Sequence, residues 1–185
     1  MNVLALSGSL RAASINSALL RATSRLAPPA VKVTVFGGLG ELPLFNPDRE
    51  ANPPDSVTTF RSAVAGADAL LIGSPEYAHG VTGTIKNALD WLVSFEPFAY
   101  KPVAVLNASP RAHHADDALR ETLRTMAAVI VEPACIVIPL LGANLDEDGM
   151  ISNAAVATAI RDSLSALYEV VALQRMSENP SFPLR

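Results

Sequence analysis

The chain has 185 residues, 50% of them hydrophobic and 17% charged, with a net charge of −4. That length fits one domain, and the composition excludes disorder, which needs low hydrophobicity and high net charge. The 14 Lys and Arg and 18 Asp and Glu are spread along the chain, so neither a basic stripe for nucleic acid nor a polybasic membrane patch is present.

Residues 2–7 are a short apolar run that stops at Gly8, a first strand. Residues 14–27 repeat apolar positions at helical spacing through Ile15, Ala18, Leu19, Ala22 and Leu26, with Ser14 as N-cap and Pro28 and Pro29 as the stop. Residues 31–36 are β-branched and predict a second strand. The stretch 37–54, rich in Gly, Pro and Asn, is a long loop. Residues 55–66 predict a helix capped by Asp55 or Ser56, with Val57, Phe60 and Val64 inward. Residues 69–73 form a third strand, 83–93 a helix that Thr82 can cap, 102–106 a fourth strand, 115–127 a helix and 134–138 a fifth strand. The last helix spans 152–175 through Val156, Ile160, Leu164, Leu167 and Val171. Residues 1–176 are thus expected to form one domain, and 177–185, polar with two prolines, a flexible tail. Strands that are apolar throughout are buried on both faces, as in a parallel sheet. Right-handed crossovers then give a doubly wound, three-layer α/β domain.

The single cysteine, Cys135, excludes a disulfide framework and a cysteine-based zinc site. No apolar run reaches the ~20 residues of a membrane helix. The start, MNVLALSGS, lacks the basic region of a signal peptide, so the expected location is the cytoplasm with no membrane partner.

Ligands of a doubly wound sheet sit beyond the carboxyl ends of its strands. After the first strand, Ser7 to Ser17 runs into a helix N-terminus, where free N–H groups and the dipole attract an anion. Ser9, Ser14, Asn16 and Ser17 add hydroxyl or amide donors, and Arg11 offers a fork to phosphate oxygens. The loop lacks both the Gly-Lys-Ser/Thr of an NTPase and the G-x-G-x-x-G of a dinucleotide fold. It suits a terminal phosphate monoester. After the third strand, Pro75, Gly80 and Gly83 shape a backbone able to approach a flat ligand, with Tyr77 for stacking. Glu76 reads best as a turn-stabilising carboxylate and His79 as an exposed side chain; no metal site is expected. After the fourth strand, Asn107 to Asp117 again enters a helix, with Arg111 for a second anion and His113 and His114 expected to point apart. Asp116 and Asp117 suit the helix dipole, and Asp117 with Arg120 and Arg124 reads as a solvated surface group.

Gly8-Ser9-Leu10-Arg11 with Ser14 and Asn16, and Pro75-Glu76-Tyr77 with Gly80, Gly83, Lys86-Asn87-Ala88 and Asp90-Trp91, together resemble the NAD(P)H-dependent FMN reductase family. This group contains quinone, azo-dye and chromate reductases. The resemblance implies a flavodoxin-like five-stranded parallel sheet of order 2-1-3-4-5 with non-covalent FMN. It implies that Ser9, Arg11, Ser14, Asn16 and Ser17 hold the FMN phosphate, that Pro75, Glu76, Tyr77 and Ala78 flank the isoalloxazine, and that Ser109 and its neighbours contact the flavin from the other side. The chain departs from the family at Ala78, where Asn is common, at Thr82, where Pro is common, and in a fourth loop with Pro110, Arg111, His113 and His114 in place of glycines.

The expected activity is a hydride relay from NAD(P)H through FMN to a small acceptor such as a quinone, free flavin, azo compound or metal oxyanion. The protein supplies position and electrostatics, with no dedicated catalytic acid or base. Arg111 is the candidate for the nucleotide phosphate. The alternatives are FMN as a released substrate, a flavodoxin-type electron carrier, and a flavin-binding module; the modest net charge and Arg11 speak against the carrier. The 17% of charged residues, against a usual ~25%, points to apolar surface covered by a partner. Trp91, Phe95, Phe98 and Tyr100 are the expected contact of a homodimer or homotetramer.

Overall fold

In the computed structural model, which describes residues 1–178, the chain runs β1 (Asn2–Ser7), α1 (Ile15–Leu26), β2 (Lys32–Val35), α2 (Asp55–Ala65), β3 (Ala69–Gly73), β4 (Glu76–Tyr77), β5 (Gly80–Val81), α3 (Gly83–Asp90), β6 (Pro102–Asn107), α4 (His113–Thr125), β7 (Val129–Ile130), β8 (Ile136–Val137), α5 (Glu147–Ser152) and α6 (Ala154–Glu178). The main sheet is parallel in the order β2-β1-β3-β6-β7, with β8 also pairing with β6. This is the order 2-1-3-4-5 implied by the resemblance, with the fifth position shared by two short strands.

The apolar strands divide their side chains between two cores because successive residues point to opposite faces. Val3 and Ala5, Ala69 and Leu71, and Ala104 and Leu106 face α1 and α6. Leu4 and Leu6, Leu70 and Ile72, and Val103 and Val105 face α2, α3 and α4. Each of the three strands carries one alanine on the first face, Ala5, Ala69 and Ala104, and Leu19, Leu20, Leu164 and Leu167 pack in the same core. The second face is filled by large side chains, among them Phe60, Trp91 and Phe98.

Ser14 caps α1 by accepting from Ser17 N–H at 3.3 Å, and Thr82 caps α3 by accepting from Ile85 N–H at 3.3 Å. The cap of α2 is Pro54, without a side-chain bond, so neither Asp55 nor Ser56 serves there. The helix expected over 115–127 starts earlier, at His113, after an N-cap, Ala112, that offers no side chain. The strand expected over 134–138 is interrupted. Val129–Ile130 pairs with Pro102 and Val103, a 3₁₀ turn over Glu132–Ala134 intervenes, and Ile136–Val137 pairs with Leu106 and Asn107. Pro133 inside the turn cannot donate to a ladder, which accounts for the break. The helix expected over 152–175 is preceded by α5, capped by Asp146, and runs to Glu178. Ser177 and Glu178 of the expected tail therefore belong to α6, and residues 179–185 lie outside the described residues.

Two of the four aromatic residues expected at a subunit contact are internal. Trp91 and Phe98 are buried in the second core, and Arg61 lies over the Trp91 ring at 5.9 Å. Phe95 is half-buried and only Tyr100 is exposed.

Strands β4 and β5 form an antiparallel hairpin in the expected third-strand loop, joined by Ala78 and His79. Both have positive φ, 50° and 57°, the geometry of a type I′ turn, which favours Asn-Gly. An L side chain there costs on the order of 1 kcal/mol. Ala78→Gly is expected to raise stability by about 0.5–1 kcal/mol in urea unfolding, and an unchanged or lower midpoint would count against the strain.

Candidate functional site

Parallel strands bring all their carboxyl ends to one edge, and there β1, β3 and β6 each turn into a helix. The turn after β1 is fixed by its own hydroxyls. Ser7 Oγ accepts from Ser9 N–H at 3.3 Å and pairs with Ser17 Oγ at 2.7 Å, while Ser9 Oγ accepts from Arg11 N–H at 3.4 Å. Ser14 Oγ accepts from Ser17 N–H and keeps its own proton to donate. Arg11 is exposed at the tip of this loop.

The backbones of the first and third loops run unusually close. Gly8 N–H donates to Gly73 C=O at 2.8 Å. A Cβ on Gly8 would lie 2.1 Å from Ser74 Oγ and 2.8 Å from Ile85 Cγ1. Gly80 and Gly83, by contrast, have room for a Cβ beside the protein's own atoms.

Several residues of the second signature serve the long loop over 37–54. Asn87 Oδ1 accepts from Phe45 N–H at 2.8 Å, and Asn87 Nδ2 and Trp91 Nε1 both donate to Pro43 C=O, at 3.0 and 2.8 Å. Lys86 pairs with Asp90 one turn along α3 at 2.5 Å.

The loop after β6 is organised by buried Asn107. Its Oδ1 accepts from Ser109 N–H at 2.9 Å and its Nδ2 donates to Ala112 C=O at 3.2 Å, so one side chain bridges both ends of the turn. Glu76 joins this wall to the hairpin: Oε2 accepts from Ala115 N–H in the first turn of α4 at 2.9 Å, and Oε1 meets His79 Nδ1 at 3.1 Å. The Ala115 amide, then His79, hold the Glu76 carboxyl below its ordinary value. His113 and His114 do not point apart; their rings are 4.1 Å from each other, and His114 meets His79 at 4.5 Å. Asp116 pairs with Arg120 at 2.6 Å, and Arg120 and Arg124 both reach Glu132, so Asp117 is not their partner. Among the described residues, no group of three His, Cys, Asp or Glu is placed to hold a metal ion.

Between the walls lies a cleft of about 270 Å³ lined by Ile15, Asn16, Ser74, Pro75, Glu76 and Arg111, with Asn107, Ser109 and Leu141 closing the far side. Of the expected site residues, the cleft gathers Asn16, Pro75, Glu76, Ser109 and Arg111. Ser9, Arg11 and Ser14 sit in the adjoining β1–α1 turn, and Ser17 in the first turn of α1. Tyr77 and Ala78 stand exposed on the hairpin. Leu141 escaped the sequence reading because it follows β8 in a segment without a motif. Asn16 is 4% exposed, yet its Oδ1 has no hydrogen-bond partner. A buried amide oxygen left unpaired costs roughly 1–3 kcal/mol, so this group calls for a donor from a ligand. A polyhydroxylated phosphate ester has the chemistry for both places: hydroxyl donors for the amide oxygen and a phosphate for the N-terminus of α1. FMN has both a phosphate and a polyhydroxylated chain.

Residues 1–140 match the family model described as NADPH-dependent FMN reductase. A NAD(P)H-dependent FMN reductase of Pseudomonas aeruginosa is 41% identical over 112 residues, a match that spans 59% of this chain and 60% of that relative's length. A quinone reductase of Pseudomonas putida is 37% identical over 141 residues, covering 71% of this chain and 72% of the relative. Among solved structures, the flavoenzyme NAD(P)H:(acceptor) oxidoreductase FerB of Paracoccus denitrificans superposes with a TM-score of 0.77 at 25% identity, covering 93% of this chain and 97% of the other. The fold is flavodoxin-like.

Gly8→Ala places its methyl against Ser74 and Ile85 and is expected to lower stability by about 2 kcal/mol, as overpacking does. Thermal unfolding of the variant checks this, and a melting temperature equal to that of the parent chain would contradict the close approach.

Proposed function

Because the chain belongs to the NADPH-dependent FMN reductase family, we propose that it is an FMN-dependent oxidoreductase that takes hydride from NAD(P)H and passes it to a small acceptor such as a quinone. The observation that carries this reading is the buried, unpartnered Asn16 Oδ1 beside the N-terminus of α1, in a cleft walled by the loops after β3 and β6. Bound FMN supplies the hydride acceptance and delivery that no amino-acid side chain provides.

The chain's own groups then have distinct tasks. The α1 N-terminus, Ser9, Arg11, Ser14 and Ser17 hold the phosphate, with Ser14 and Ser17 also fixing the turn. Asn16 takes a ribityl hydroxyl. Pro75, Glu76, Tyr77 and Ala78 lie along one side of the ring and Ser109 along the other. Arg111 on the cleft wall receives the phosphate of the nicotinamide nucleotide. Excluding water and fixing the approach of donor and acceptor are the protein's contributions to rate.

Self-association belongs to the same proposal. Leu10, Tyr77 and the cleft residue Leu141 are exposed and supply apolar surface for it. A cytoplasmic site of action agrees with the need for NAD(P)H.

Purified protein mixed with FMN is expected to hold the flavin, and anaerobic NADPH is expected to bleach its visible absorption, which a quinone then restores. Protein that binds flavin without NADPH-dependent bleaching is an electron carrier or binding module instead. Arg11→Ala removes a charge-assisted contact and is expected to weaken FMN binding about tenfold, ~1.4 kcal/mol, read by quenching of flavin fluorescence; unchanged affinity would remove Arg11 from the site.

A further inference from the structure

Helix α4 lacks a cap of its own: its N-cap is Ala112, which makes no side-chain bond. The first four N–H groups of a helix need partners from outside it, and a carboxylate is the favoured one at the positive end of the dipole. The group that fills this place comes from a different element, 39 residues earlier in sequence. Glu76, on the first strand of the hairpin, gives its Oε2 to Ala115 N–H at 2.9 Å. Its side chain is 12% exposed, and Glu76 itself lines the cleft. Its other oxygen holds His79 at 3.1 Å, and the His79 ring packs on His114 in the first turn of the same helix. All three histidines of the chain meet at this joint.

We propose that Glu76 is a positioning residue that caps α4 from the hairpin and so fixes the separation of the two walls between which the flavin ring lies. The proposal rests on the flavin reading of the cleft. One wall is Ser74, Pro75 and Glu76; the other is the turn from Asn107 to Ala112, which ends where α4 begins. Asn107 sets the internal shape of the second wall, but its bonds stay within that wall. The Glu76–Ala115 bond crosses between them, and the edge-to-face contact of His79 with His114 supports it from the solvent side. With the bond cut, α4 keeps its fold while its first turn frays and the cleft loses a fixed width.

The test compares the parent chain, Glu76→Ala and Glu76→Gln by two measurements. The first is amide exchange in the first turn of α4, which needs no flavin. Glu76→Ala is expected to speed exchange there at least tenfold, and Glu76→Gln, whose carbonyl oxygen still accepts from Ala115, is expected to restore most of the protection. Equal exchange in the parent and Glu76→Ala overturns the proposal even if FMN never binds. The second is FMN affinity by fluorescence quenching: about tenfold weaker in Glu76→Ala and within threefold of the parent in Glu76→Gln. Parent protein that fails to bind FMN refutes the flavin reading and leaves exchange to judge the cap. Flavin affinity unchanged in Glu76→Ala refutes the positioning role alone.

A pH profile separates a titrating cap from a packing effect. The Ala115 amide, then His79, lower the folded-state value of Glu76. Its stabilisation is therefore complete above the ordinary carboxyl value of 4.5 and is lost as pH falls through the lowered value. The groups facing it are His79 on the hairpin and His113 and His114 at the start of α4. The melting temperature of the parent is expected to converge on that of Glu76→Gln only below pH ~4.5, and a constant difference down to pH ~3 would overturn the cap.

Discussion

At the carboxyl edge of the sheet, the Gly8 amide donates to the Gly73 carbonyl and the space beside it is filled by Ser74 and Ile85. This contact sets where the first loop leaves the sheet relative to the third. The N-terminal end of α1 and the Pro75 turn then open onto the same cleft. The contact is possible because β1 and β3 pair along their whole length, from Val3 with Ala69 to Ser7 with Gly73. That pairing in turn needs both strands to be apolar on two faces, so that helices cover each side. The site therefore depends on packing that has no chemical role of its own.

The opposite wall is held by polar groups rather than by packing. Asn107 is buried and spends both ends of its amide on its own turn. Glu76 spends both carboxylate oxygens on groups outside its strand. Such bonds gain strength where water is scarce and leave costly orphans when one partner is removed. Asn16 is the exception at this edge, a buried amide with an unspent oxygen, and it is the one that faces the cleft.

The first four strands and the caps Ser14 and Thr82 were legible because each is written locally, in a run of apolar residues or in one hydroxyl before a helix. The turn from β1 into α1 was legible for the same reason. What escaped the sequence was written elsewhere in the chain. The first turn of α4 takes its side-chain partner from Glu76 on the hairpin, and its own N-cap, Ala112, makes no side-chain bond, so nothing near His113 announces the helix. The stacking of His113 on His114 and His79 depends on a hairpin that only the third dimension brings near. Trp91 and Phe98 looked like contact residues because a cluster of aromatics does not reveal which surface it faces; the long loop over 37–54 supplies the partner, through Pro43 and Phe45. The fifth strand was misplaced because Pro133 divides it, and half of it lies on the earlier side of the break.

That break has a consequence beyond topology. An exposed edge strand is a template onto which another chain can add its own ladder. On this side of the sheet the template comes in pieces of two residues, Val129–Ile130 and Ile136–Val137, separated by a turn that carries Glu132 and Pro133. The other side offers only the four residues of β2, with Lys32 pointing outward. Neither edge presents a ladder long enough to extend, so the protein carries a five-position parallel core at little risk of growing into a continuous sheet with its neighbours.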